Sequence, residues 1–424
     1  MSSSSAPETP TTATTSANAG QLVQRALLLM AAGGWVMSPL SSTWSGLAWL
    51  ALVLAALFSL GGASVPAPTT AVTQASRWWS WATAAGCVLA TAALLIHHEP
   101  WSSLQDNVRL WLAAGAVLCL VHRLPRYARA ADGLMGLCAA ACAVSAGVAL
   151  SHARDQLPGN AIPWAVSVAF LLCVLAPAVL DRDTAWARRR WWAVGLVLGL
   201  VAVLVSQTRG ALVIMVWLAW LLLRHLWHHR PVGAPRSLAA LAVALVLVGS
   251  SAWWDADPLR LREAGQDIAQ ALTQDQPDTS VGSRLEMWST AVKGIAQAPW
   301  LGHGISAREA TMRELGAQHA PRIWAKLRHF HNEYLNAWFD HGVVGLGAVL
   351  VTLLGLMTAA HALRLRQPVA SQQLWGLAVV HGVAGMTNVN TVHNLYTLAL
   401  ALAVSAVLLR AAHTPFKPHT PHTP

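Results

Sequence analysis

The stretch WWAVGLVLGLVAVLVSQTRGALVIMVWLAWLLLRHLW, residues 191–227, decides the fold. Two apolar runs, 191–206 and 210–227, are joined by only Gln207, Thr208 and Arg209. Each run is close to the roughly 20 apolar residues that a helix needs to cross a bilayer, so the stretch reads as two spans and a very tight link. Working outward, comparable runs lie at 22–39, 44–61, 78–97, 107–122, 131–150, 161–180, 237–254, 334–360, 372–389 and 391–409. The expected fold class is an all-α polytopic membrane protein with about twelve transmembrane helices. Composition agrees: 55% of the 424 residues are hydrophobic and 11% charged, against about 25% charged in an average soluble domain. That excludes an ordinary water-soluble enzyme. The 22 Trp against 3 Tyr and 5 Phe fit the same view, because indole favours the membrane-water interface.

Charge placement gives the orientation. An even number of spans puts both termini on one side, and the connections on that side carry 16 basic residues, from Arg25 and Arg77 through Arg188, Arg189 and Arg190 to Arg410 and Lys417. The short connections of the opposite side hold only Arg109, Arg154 and Arg209. Lys and Arg accumulate on the cytoplasmic side, so both termini are expected to be cytoplasmic. The net charge of +10 is therefore a topology signal, and a nucleic-acid partner is not expected, since the basic residues do not gather on one soluble face.

Residues 255–333 form one long outward-facing loop with nine basic and ten acidic residues. Long loops escape the positive-inside rule, and its capping signals between Asp278 and Arg284 suggest short helices. The expected organisation is a disordered tail over 1–20, nine spans over 21–254, this loop, three spans over 334–410 and a second tail over 411–424. No cleavable signal peptide is read, because the first apolar run lies behind a polar tail. Cys87, Cys119, Cys138, Cys142 and Cys173 all lie in apolar runs and read as packing residues rather than a disulfide framework. The sequence has no P-loop and no glycine-rich dinucleotide fingerprint.

Ionisable groups are expensive in a membrane, so those at span ends on the outer side carry the information. Arg209, in Ser206-Gln207-Thr208-Arg209-Gly210-Ala211, sits where a guanidinium near helix-end amides suits a phosphate; the alternative is a snorkelling anchor. Arg284, in Gly282-Ser283-Arg284-Leu285-Glu286-Met287-Trp288, is expected in the first turn of a helix capped by Ser283, with a surface salt bridge to Glu286 or Asp278 as the alternative. His331, in His329-Phe330-His331-Asn332-Glu333, can take a proton from a hydroxyl near neutral pH, or be an ordinary interfacial histidine. Two fixed cations and one base form a set suited to a lipid diphosphate donor: the guanidiniums neutralise the leaving phosphates while the imidazole activates the acceptor. Asp255 and Asp257 have a spacing that can hold a divalent cation, but the pattern is common near helix ends and no metal or other cofactor is expected. His361, His381 and His393 read as packed or pore-facing residues.

Three pieces of sequence, in order and on one side, resemble the O-antigen ligase and polymerase family of bacterial membrane proteins. They are Thr208-Arg209-Gly210-Ala211; Gly282-Ser283-Arg284 with Trp288 and Pro299-Trp300-Leu301-Gly302-His303-Gly304; and His331-Asn332 with Leu335, Gly342 and Gly345. The resemblance covers roughly residues 190–350. It implies a glycosyltransferase-C-like, inverting and metal-independent enzyme of the Gram-negative inner membrane. Such an enzyme moves a glycan from undecaprenyl diphosphate at the periplasmic face, so that the loop 255–333 is periplasmic. It also implies that Arg209 and Arg284 bind the diphosphate and His331 is the base, with His329 two positions away as the alternative. A ligase, whose partners are undecaprenyl-diphosphate-linked O-antigen, lipid A-core oligosaccharide and membrane lipids, is preferred because one loop dominates. The rivals are an O-antigen polymerase, a protein O-oligosaccharyltransferase and a lipid or polysaccharide transporter; no hydropathy symmetry between halves supports the last.

Overall fold

A computed structural model describes residues 12–60, 68–124, 128–229, 279–319 and 327–414, together with Arg262, residues 265–267 and 269–270, and Trp324. Among the described residues there are helices and no strands. They are α1 (Thr12–Met37), α2 (Ser42–Ser59), α3 (Thr70–His97), α4 (Gln105–Arg123), α5 (Ala128–Ser151), α6 (Ala161–Leu180), α7 (Trp186–Val205) and α8 (Val213–His229), followed by α9 (Gly282–Gln297), α10 (Ile305–Gln318), α11 (Glu333–Leu363), α12 (Pro368–Gly385) and α13 (Asn394–His413).

Eleven of the twelve expected runs coincide with helices, and the run 237–254 lies outside the described residues, as do Asp255 and Asp257. Among the described residues, eight helical segments can cross a membrane by length and composition: α2, α3, α4, α5, α6, α8, α11 and α13. The chain is a multi-pass membrane protein. Helix α1 reaches back to Thr12, into the stretch read as a tail. One boundary needs correction. The runs 372–389 and 391–409 were expected nearly to abut, but α12 stops at Gly385 and α13 starts at Asn394. The intervening residues spend their polar groups locally: Asn388 Nδ2 donates to Asn390 Oδ1 at 2.9 Å and the Asn390 amide donates to Glu333. Asparagine competes in this way with the helical ladder.

Small residues let the helices close on one another, as in membrane bundles generally. In the α3–α11 seam, a side-chain carbon built on Gly355 would lie 2.0 Å from Ala82 Cβ, and one built on Gly86 would lie 2.8 Å from Thr352 Oγ1. Helices α6 and α13 are buried along almost their whole length, and an all-round apolar helix belongs at such a centre. The surrounding helices expose large apolar side chains such as Trp81, Val88, Trp191 and Val216, the surface expected against lipid.

The connections 38–41, 98–104, 152–160, 206–212 and 386–393 meet at one end of the bundle, and α9 and α10 cap it. Trp164 bonds to the Pro39 carbonyl, Arg109 to Asn394, and Glu99 to the first amide of α10. Arg123, Arg188, Arg189, Arg190 and Arg364 occupy the opposite helix ends. The capping helices carry their own small core of Met287, Ala291, Ile295, Met312, Leu315, Trp324 and Phe330, closed below by Phe339 of α11.

Candidate active site

The Arg209 turn is built by backbone constraint. The Ser206 hydroxyl turns back to the Val203 carbonyl at 2.7 Å and closes α7, and Gln207 then takes a left-handed φ of 52°. Buried Thr208 bonds to the Ala161 carbonyl, and Arg209 opens a short 3-10 turn, Arg209–Leu212. Gly210 lies so near the 386–393 connection that an added side-chain carbon would be 2.7 Å from Thr387 Oγ1. The Arg209 side chain is only 24% exposed and its Nη1 stands 4.0 Å from Asp267 Oδ2. A snorkelling anchor would extend to water, and Arg209 does not.

Arg284 lies in the first turn of α9, as expected, but Ser283 is not the cap. Ser283 is already helical and buried, and the Thr279 hydroxyl accepts the Gly282 amide at 2.9 Å instead. Among the described residues no carboxylate forms an ion pair with Arg284. Burial holds its pKa below the ordinary arginine value, and the neighbouring Arg209 and Arg154 guanidiniums push the same way, against Asp267. A desolvated guanidinium crowded by two others gains from an anion placed among them.

His331 follows buried Phe330 and takes a left-handed φ of 50°. Its Nδ1 is 2.9 Å from Asn388 Oδ1. With Asn388 Nδ2 on Asn390 Oδ1, the amide oxygen faces the ring, an arrangement that suits a proton on His331 Nδ1 and a lone pair on Nε2. Burial and then Arg284 lower the His331 pKa to about 4, so the ring is neutral at neutral pH. His329 packs edge-on against it at 4.5 Å, and burial lowers its pKa to about 3. His329 has no orienting bond at Nδ1, so of the two rings only His331 is held in a defined tautomer. Asn332 caps α11 by accepting the Tyr334 and Leu335 amides. Glu333 accepts the amides of Asn390 and Thr391 and the Thr391 hydroxyl.

Three quoted pieces of sequence thus converge: Arg284 is within electrostatic range of both Arg209 and His331. Trp288, one turn after Arg284, donates its indole N–H to the Phe330 carbonyl at 2.9 Å, tying α9 to the histidine loop. The Pro299–Gly304 piece has a structural task. Helix α11 breaks at His341 and at Gly342, whose φ is 61° and ψ −153°, and this frees backbone groups that the ladder would have satisfied. The loop satisfies them. The His303 amide donates to the Phe339 carbonyl at 2.8 Å, the Gly304 amide to the Asp340 carbonyl at 2.7 Å, and the Val343 amide to the Pro299 carbonyl at 3.1 Å.

Glu99 secures the same junction and was not singled out from sequence. Its carboxylate accepts the His341 ring at 2.8 Å and the Ile305 amide at 2.8 Å. Burial pushes its pKa up, but the His341 ring, the Ile305 amide and the His97 charge outweigh burial and hold it below the ordinary value. A lone carboxylate ending an apolar run, in His97-His98-Glu99-Pro100, was the available signal. The polar cluster Thr387-Asn388-Val389-Asn390-Thr391 between two apolar runs was likewise a signal. Beside the site, a cavity of about 190 Å³ between α3, α4, α10 and α11 is lined by Glu99, Asp106, Arg308, Glu333, Asp340 and Thr391 among others. It meets the histidine loop only through Glu333. His381 is a packed residue bonded to Tyr396, and His361 meets Arg364 at the far end.

Residues 194–350, from α7 past the break in α11, match the family described as O-antigen ligase. A segment of 124 residues is 27% identical to an uncharacterized protein of Haemophilus influenzae, covering 28% of this chain and 31% of that protein. The chain therefore spans about a third of the length of that relative.

Proposed function

We propose that this chain, whose residues 194–350 match the O-antigen ligase family, transfers O-antigen polysaccharide from undecaprenyl diphosphate to a hydroxyl of lipid A-core. In this reading the chain has twelve spans and a glycosyltransferase-C-like architecture in the inner membrane of a Gram-negative bacterium. Both termini are cytoplasmic, and the α9–α10 end of the bundle faces the periplasm. The observation that carries it is the meeting of Arg209, Arg284 and neutral His331 at one end of the bundle.

Each group has a task in the reaction. Arg209 and Arg284 hold the diphosphate and stabilise the negative charge that grows on it as the glycosidic bond to phosphate breaks. The acceptor oxygen attacks the anomeric carbon on the opposite face, which inverts it. His331 Nε2 takes the acceptor proton as the new C–O bond forms, and undecaprenyl diphosphate departs. The donor is already activated, so neither ATP nor a metal ion is needed. The lipid tail reaches the site sideways through the bilayer, since a polyprenyl chain has no favourable aqueous route.

The test is transfer by the full chain in lipid nanodiscs supplied with lipid-linked glycan and lipid A-core. A new glycolipid supports ligation. Longer lipid-linked chains, or a glycosylated protein when one is supplied, would move the assignment to polymerase or oligosaccharyltransferase, and absence of any transfer would overturn it. Arg209→Ala and Arg284→Ala should each lower turnover by about 100-fold or more in protein that inserts normally. Full activity in both variants would refute their role, and loss of activity with a chelator would bring Asp255 and Asp257 back into consideration.

A further inference from the structure

We infer that Asn388 is the positioning residue of the base: its amide oxygen fixes His331 with the proton on Nδ1 and the lone pair on Nε2. The inference rests on the reading of His331 as the base. A neutral imidazole has two tautomers, and the hydrogen bond made by one nitrogen decides what the other can do. The His331 Nδ1 to Asn388 Oδ1 distance is 2.9 Å, and Asn388 is fully buried.

The Asn388 side-chain amide is engaged at both ends, its oxygen by His331 and its nitrogen by Asn390. Asn388 Nδ2 donates to Asn390 Oδ1 at 2.9 Å, and the backbone N–H of Asn390 donates to Glu333 Oε2 at 3.0 Å. Glu333 also takes the Thr391 amide and hydroxyl. The carboxylate at the start of α11 thereby holds the backbone of the loop that arrives from α12 and brings Asn388 to the ring two residues before it. The backbone N–H of Asn388 bonds back to the Ala384 carbonyl at 3.2 Å, which fixes the loop to the end of that helix.

The choice of a neutral amide follows from the surroundings. The groups that face His331 are Arg284 from α9, His393 from the start of α13 and His329 from its own loop. A carboxylate at 388 would orient the ring equally well, but it would favour imidazolium over imidazole. It would also neutralise part of the positive field that a diphosphate needs. An amide orients the ring and leaves the field intact.

The experiment compares Asn388→Leu and Asn388→Asp with wild type and His331→Ala, each as full chain in nanodiscs, with folding followed by thermal denaturation. Transfer from the lipid-linked glycan is measured across pH. Asn388→Leu keeps volume and removes the acceptor, so kcat should fall roughly 10- to 100-fold with KM for the donor little changed. Asn388→Asp keeps the acceptor, so kcat should largely survive while the acid limb moves up by about one pH unit or more and the donor KM rises. Wild-type kcat in Asn388→Leu overturns the inference, as does Asn388→Asp as slow as Asn388→Leu, which would put the proton on Nε2. If Asn388→Leu does not fold, the pH limb of Asn388→Asp decides, and an unmoved limb overturns the inference. Full activity in His331→Ala would refute the base itself, whereas an inactive His331→Ala beside a normal Asn388→Leu refutes the positioning role alone.

Discussion

Gly342→Ala should disconnect the capping helices, and Arg284 of α9 with them, from the bundle while leaving the side chains of Arg209, Arg284 and His331 themselves unaltered. Gly342 has φ 61° and ψ −153°, a region of backbone space essentially reserved for glycine, and a residue forced there costs about 1–3 kcal/mol. The added carbon would also stand 2.1 Å from the Trp300 carbonyl oxygen and 2.5 Å from the Leu301 nitrogen. These are backbone atoms, so no side-chain rotation relieves the contact. Either the Pro299–Gly304 loop lifts away or α11 straightens. Lifting the loop breaks the bonds from His303 to Phe339, Gly304 to Asp340 and Val343 to Pro299, at about 0.5–1.5 kcal/mol each. The sum is roughly 3–7 kcal/mol, much of the 5–15 kcal/mol by which a protein is typically stable. The loss should be local, because the rest of α11 stays packed on α3. Limited proteolysis between α9 and α10, thermal denaturation and transfer should all respond: faster cleavage, a lower first transition and little activity. Gly136→Ala is the control, since nothing lies within 4 Å of its added carbon and alanine favours a helix by about 0.5–1 kcal/mol over glycine. A Gly342→Ala variant with wild-type proteolysis and activity would refute the account of the kink.

His331 accepts a proton only when neutral, and its pKa is lowered to about 4. Activity should therefore hold as pH falls from about 7 to about 5 and drop along an acid limb near 4; a limb near the ordinary histidine value of about 6.5 would contradict its burial. The same lowering has a consequence for stability. Below about pH 6.5 the unfolded chain takes up protons at His331 that the folded chain refuses until about 4, so this contribution, intact above 6.5, is lost as pH falls between those values. Gly210→Val should reduce transfer severely while insertion stays normal, because its side chain would drive the Arg209 turn off Thr387, 2.7 Å from the first added carbon. Turnover equal to wild type would show that this approach does not position Arg209.

Most of the helical plan was legible because a bilayer imposes a strong, one-dimensional rule on sequence: long apolar runs become helices, and eleven of the expected twelve coincide with helices. The rule is blind to polar residues that bond among themselves at a span end. Asn388, Asn390 and Thr391 therefore read as a slight dip between two runs, although they form an eight-residue connection. Arg209 and His331 stood out as ionisable residues at span ends and Arg284 as one in the outer loop, and the structure brings the three to one end of the bundle. Glu99 did not stand out, and Gly342 was quoted for the resemblance with no structural task, since their partners Ile305, His341 and Trp300 are distant along the chain or matter only through backbone atoms. The Pro299–Gly304 piece was quoted for the resemblance alone, and its bonds go to a broken helix.

Helix α11 explains why residues from such separate parts of the chain can work as one set. Its first residues hold the histidine loop, through the Asn332 cap and the Glu333 cradle of the 386–393 connection. Two turns later Phe339 closes the core beneath α9, and the break at His341 and Gly342 holds the loop leaving α9. The indole of Trp288 joins α9 to the carbonyl just before His331. Arg284 and His331 are thus referred to one rigid span through three independent attachments. Arg209 joins them through Thr387 on the same connection that orients the imidazole. A loop that carried Arg284 on flexible linkers would lose positional order each time a bulky glycan entered. One that is bolted to a kinked membrane helix keeps the two charges and the proposed base in register, as the proposed stabilisation of a leaving diphosphate would require, because the gain falls steeply with misplacement.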